Sequence, residues 1–208
     1  MKMTNQIIRT QQELIVQRVL ALIGFILLTV TPALAQQTVQ GTEDKATGWR
    51  KIVSYSSGFE ALMPKAAKVN EEMLEENGMK MLMRTFQSED DFGFYTIGSI
   101  DISPLLNNLK SEGVDTPKVR ELLFTIMFEA AEAEVVKGLP AAMKVEMMGD
   151  TVFNGAKGRL YNFKVFGGTV GEMRLLHHKE KVFMVMVADL SDNRIANAKR
   201  FHSSVRFF

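Results

Sequence analysis

The chain has 208 residues, 46% hydrophobic and 24% charged, the composition of one folded globular domain rather than a disordered segment. Its 25 basic and 24 acidic residues nearly cancel and no basic stripe stands out, which argues against a nucleic-acid binder. It has no cysteine, which excludes disulfides, thiolate metal sites, c-type haem attachment, a cysteine nucleophile and a lipidated cysteine anchor.

The first 35 residues have the three parts of a cleavable signal peptide. Lys2, Arg9 and Arg18 make a positive start, Val19 to Val30 an apolar run, and Ala33-Leu34-Ala35 a small-residue cleavage site after Pro32. The competing reading is a retained membrane anchor. The apolar run would span about 18 Å as a helix, short of the roughly 30 Å hydrocarbon core. Extending it back to Leu14 would draw Arg18 into the bilayer, at about 2.5–3.5 kcal/mol. The expectation is cleavage after Ala35, leaving a chain with one more acidic than basic residue, periplasmic or secreted, that meets the membrane only through its leader.

Residues 36–48 are polar and without periodicity and are expected to form a flexible linker, with a single domain over 49–208. Trp49 to Tyr55 and Phe59 to Met63 read as strands around a Ser-Ser-Gly turn, the second ended by Pro64. Ala66 to Asn77, rich in glutamate, reads as a solvated loop or short helix. Met79 to Gln87 alternates as a half-buried strand, Glu89-Asp90-Asp91 turns, and Phe92 to Ile102 returns as its partner. Ser103-Pro104 opens a short helical turn.

A longer helix starts at Thr116-Pro117, an N-cap followed by proline at the first helical position. Val119, Leu122, Leu123, Ile126, Met127 and Ala130 form its apolar stripe, and Gly138 and Pro140 stop it. Then come strands at Lys144 to Met148, Arg159 to Phe166, Thr169 to His178 and Val182 to Ala188. Short gaps between them favour an antiparallel meander. Asp192 caps a last helix over Arg194 to Phe201, and Ser204 to Phe208 adds a closing strand. The fold class expected is α+β, a mostly antiparallel sheet flanked by helices.

The sequence holds no GxxxxGK, GxGxxG, HExxH or GxSxG pattern. The weak candidates are of two kinds. His177 and His178 are adjacent in a strand and point to opposite faces, so one of them would need His202 brought beside it to share a metal or a proton. Met79, Met81, Met83, Met184 and Met186 lie at strand spacing. Thioethers are soft ligands suited to Cu(I), while methionine is also a common core filler. The acidic turn at Glu89-Asp90-Asp91 suits a cation or plain solvation, and Trp49, Tyr55, Phe59 and Phe94 a ligand pocket or plain core.

Three segments together resemble a known pattern. Gly58-Phe59-Glu60-Ala61-Leu62-Met63-Pro64 is similar to the GxFxxxxP strand that opens many exported bacterial domains of the PsbP-like, Mog1-like superfamily. Gly158-Arg159-Leu160-Tyr161 resembles their strand after the central helix, and Ala198 to Phe207 their closing helix and last strand. The resemblance implies an α-β-α sandwich over about Trp49 to Phe208 and brings no site residue with it. A second proline after Pro64 and a second aromatic beside Phe201 are missing from the pattern.

With no catalytic signature and no cofactor motif, the leading expectation is a non-enzymatic exported domain that binds a protein partner or assists envelope assembly. The alternatives are a periplasmic copper carrier using the methionine-rich strands, and a small hydrolase needing a Ser or Asp beside His177, His178 or His202.

Overall fold

The computed structural model describes residues 37–76, 79–90, 93–138, 143–165, 168–189 and 194–208. The leader over 1–35 and the Asp192 cap lie outside the described residues.

Among the described residues, twelve strands and three helices follow one another as β1 (Gln37–Val39), β2 (Thr42–Glu43), β3 (Arg50–Ser54), β4 (Phe59–Met63), β5 (Ala67–Glu76), β6 (Met79–Glu89), β7 (Gly93–Asp101), α1 (Ser103–Ser111), α2 (Pro117–Gly138), β8 (Met143–Phe153), β9 (Ala156–Val165), β10 (Gly168–His178), β11 (Lys181–Asp189), α3 (Arg194–Ser204) and β12 (Arg206–Phe207). They build an eight-stranded sheet in the order β1-β5-β6-β7-β11-β10-β9-β8 and a four-stranded sheet in the order β12-β4-β3-β2. Every pairing is antiparallel. The class is α+β, mostly sheet.

Strand alternation divides the large sheet between two cores. Along β11, Phe183, Val185 and Val187 enter one, while Val182, Met184 and Met186 pack on the other. The first core lies under α1 and α2, with Leu105, Leu106 and Leu109 from α1 and Leu123, Ile126, Met127 and Phe128 from α2. The second lies under the small sheet and α3, with Ile52, Phe59, Met63, Phe201 and Val205.

Local chemistry explains the helix starts and the tightest turn. The Thr116 hydroxyl accepts from the Val119 amide at 3.2 Å, the cap its sequence calls for. At α1 the N-cap residue is Ile102, which has no capping side chain, and Asp101 before it accepts from the Ser103 amide at 3.0 Å and the Ser103 hydroxyl at 2.6 Å. Asn154-Gly155 joins β8 to β9 with φ of 50° and 84°, the left-handed pair a two-residue hairpin needs.

The structure differs from the sequence reading in four places. The polar stretch expected as a linker pairs in strands: β1 lies on β5, β2 on β3, and Asp44 holds the turn by accepting from Ala46 and Thr47. An edge strand needs backbone partners more than apolar side chains, so polarity does not exclude it. The stretch expected as a loop or short helix is a strand over Ala67–Glu76. It contributes β5, whose acids face bases directly opposite on β6: Glu71 pairs with Arg84, and Glu75 with Lys80 at 3.6 Å. Ser103-Pro104 opens a full nine-residue helix. In α2, Phe124 and Phe128 are buried while Leu122 is partly exposed.

Candidate functional site

Strand alternation puts Glu172 and Arg174 of β10 on the same face, the one toward α3. Helical spacing puts Ile195, Ala198, Lys199, His202 and Ser203 on one stripe of α3. Between strand and stripe opens a cleft of about 690 Å³, floored by Gly171 and Val187 and closed at one end by Phe153. Gly171 is a steric requirement: a Cβ there would lie 2.2 Å from the Val187 carbonyl oxygen.

At the root of the cleft three side chains close on one another. His202, only 6% exposed, has its Nε2 2.7 Å from Glu172 Oε1. Arg174 Nη2 donates to Glu172 Oε2 at 3.1 Å. Arg174 Nη1 lies 2.7 Å from His202 Nδ1 and 2.9 Å from Nε2. Because Nε2 is committed to Glu172, Nδ1 is the acceptor, and the partners assign a neutral imidazole with its proton on Nε2. The guanidinium also sits over the Phe153 ring, 4.7 Å from its centroid.

The charges follow from this packing. Burial alone would raise the Glu172 carboxyl, but the hydrogen bond from His202 and the charge and hydrogen bond of Arg174 overcome it and hold it at about 2. Burial pushes His202 below its ordinary value. The Glu172 hydrogen bond opposes this, and the nearby Arg174 charge adds to it.

The histidines expected from the sequence are not brought together. His177 faces α2 and stacks on Phe124, centroids 3.9 Å apart and planes within 10°. His178 faces the other way, its ring 6.0 Å from that of Phe207. His202 joins Glu172 and Arg174 instead. The five candidate methionines all lie on the α1–α2 side of the large sheet. Met81 is 1% exposed, and Met79, Met83, Met184 and Met186 are half-buried against the same core. Met83 and Met184 share with Met127 a small cavity of about 80 Å³ beside Gly98.

The remaining candidates are dispersed. Glu89 pairs with Lys68 at 2.9 Å, and Asp90 accepts from the Gly93 amide at 2.7 Å. Trp49 packs edge-on against Tyr95 and Phe59 against Phe86, while Tyr55 is 83% exposed. The Ser203 hydroxyl donates to the Arg200 carbonyl at 3.1 Å and that of Ser204 to Phe201 at 2.6 Å. Among the described residues no three His, Asp or Glu side chains gather as a metal site. Nor is any described helix long and apolar enough to cross a membrane.

Sequence reasoning missed Glu172, Arg174, Ile195 and Lys199. One signal was present: Glu172-x-Arg174 puts opposite charges on one face of a strand whose neighbouring residues are Met173, Leu175 and Leu176. In comparisons with known proteins, no family model matches the chain, and neither does any curated protein or solved structure.

Proposed function

We propose that this chain is an exported, non-enzymatic binding domain of the cell envelope, and that the cleft between α3 and β10 is where it binds. One observation carries the reading. The polar groups at the root of the cleft saturate one another, whereas its mouth presents an aliphatic side chain, Ile195, at 77% exposure. A buried, mutually satisfied polar cluster beside an open apolar wall is suited to holding a ligand. A hydrolase would need a ring nitrogen of His202 free to take a proton from a nucleophile, and both are engaged, Nε2 with Glu172 and Nδ1 with Arg174.

Export rests on the leader pattern over 1–35, with release into the periplasm or beyond after Ala35. The finer PsbP-like, Mog1-like relationship is part of the same proposal. It is supported by the burial of Phe59 in the opening strand and of Phe201 and Val205 where the closing helix runs into the last strand.

Photo-crosslinking tests the reading. A crosslinker at Ile195 in the cell should yield a discrete adduct in the envelope fraction. The same group at Val136 of α2, 51% exposed on the other side of the large sheet, should not. No adduct at 195, or the same adducts at both positions, would count against the cleft.

A further inference from the structure

We propose that the cleft between α3 and β10 takes a free single-chain aliphatic carboxylate, with its head at Lys199 and its chain along Ile195, Ala198 and Phe153. This rests on the reading of the cleft as the binding surface and names what it binds.

The polar inventory selects the head group. Glu172, Arg174 and His202 are committed to one another, and the Asn154 amide already donates to the Val205 carbonyl at 2.6 Å. What remains for an occupant is Lys199, exposed at the rim and without an ion-pair partner among the described residues, together with two neutral groups, the Asn162 amide and the Thr169 hydroxyl. Glu172 and Arg174 cancel, His202 is neutral, and Lys199 leaves the lining with one net positive charge. A monoanion complements it, and a cation does not.

The backbone selects the body. The cleft lies on the face of the large sheet over β9 and β10, which are interior strands paired on both sides through the β8–β9, β9–β10 and β10–β11 ladders. Among the described residues the nearer free edge of the sheet is on β8, two strands away from β10, so a peptide laid over β10 would bury its own amides without strand partners. A hydrocarbon chain has none to satisfy, and Val170, Ile195, Ala198 and Phe153 give it apolar walls. A volume of about 690 Å³ falls in the range of small-ligand sites.

Calorimetric titration of the protein recovered from the envelope fraction tests the assignment, with decanoate below its micellar concentration as the probe. Decyltrimethylammonium carries the same tail with the opposite charge, and acetate the same head without a tail. Decanoate should saturate at one per chain, and the other two should not bind. Lys199→Gln should weaken decanoate about tenfold, and Ile195→Asp should abolish binding. Both positions are exposed, so an unchanged thermal midpoint confirms that the variants fold.

Equal binding of decyltrimethylammonium, or wild-type affinity in both variants, would overturn the proposal. If decanoate does not bind while the crosslinker at Ile195 still captures an envelope component, the ligand class is wrong and the cleft reading stands. If both fail, the cleft reading falls with it.

Discussion

His202 of α3 donates its Nε2 proton to Glu172 of β10 across 2.7 Å, and this bond ties the C-terminal helix to the face of the large sheet. The anion it reaches also balances Arg174, so one carboxylate serves two elements.

Glu172→Gln should therefore act on more than one bond. It leaves the Arg174 cation, largely buried, without its counter-charge. A loss of about 3 kcal/mol is expected, read from urea unfolding. Adding Arg174→Met removes the stranded charge, so the double variant should be less destabilised than the two single losses added together.

Acid should weaken the fold in two stages. The folded state holds His202 below its ordinary value of 6.5, and His177 is shifted in the same direction by burial, Lys157 and His178. Below about pH 6.5 the unfolded chain takes up protons that the folded chain refuses, so stability falls as pH falls toward the depressed values. The second stage belongs to Glu172, held at about 2 against an ordinary 4.5; its contribution is complete above that value and is lost as pH falls from there toward 2. Thermal midpoints from pH 8 to pH 3 should show both. A flat curve between pH 7 and 5 would refute the first.

Two glycines permit strands to approach as no other residue does. A Cβ at Gly158 would lie 1.8 Å from the Leu175 carbonyl oxygen, and one at Gly171 2.2 Å from that of Val187. Gly158→Ala and Gly171→Ala should each cost about 3 kcal/mol or prevent folding. Soluble yield and the unfolding midpoint report it. An alanine tolerated at 171 would mean the β10–β11 ladder gives way more easily than its register implies.

Gly98 predicts the opposite sign. A Cβ there meets Met184 at an ordinary 3.6 Å and points toward the small cavity under α2. Gly98→Ala should fill part of that space and reduce the freedom of the unfolded chain, stabilising by about 0.5–1 kcal/mol in denaturant titration. A loss of stability would show that Met184 needs the space.

Features written in neighbouring residues were legible in the sequence. Thr116-Pro117 announced α2 because cap and first-turn proline act within three residues, and the period-2 pattern at Met79 announced β6. The glutamates of β5 misled because their partners, Arg84 and Lys80, come from the next strand. Seen alone, a run of acids signals solvent; opposite bases, it is half of a ladder. In α2, the stripe drawn through Leu122 missed Phe124, which is buried because His177 stacks on it from the sheet.

The site was the least legible part. Sequence alone determined the α+β class, most element positions, the lack of cysteine chemistry, and the rule that His177 and His178 diverge, since each follows from chain-local geometry. Only the tertiary structure decided that His202 meets Glu172 and Arg174 rather than another histidine, and that Ile195 and Lys199 overlook Gly171. Those relationships depend on where α3 docks, which is set by Phe201 and Val205 entering a core that strands from both sheets build.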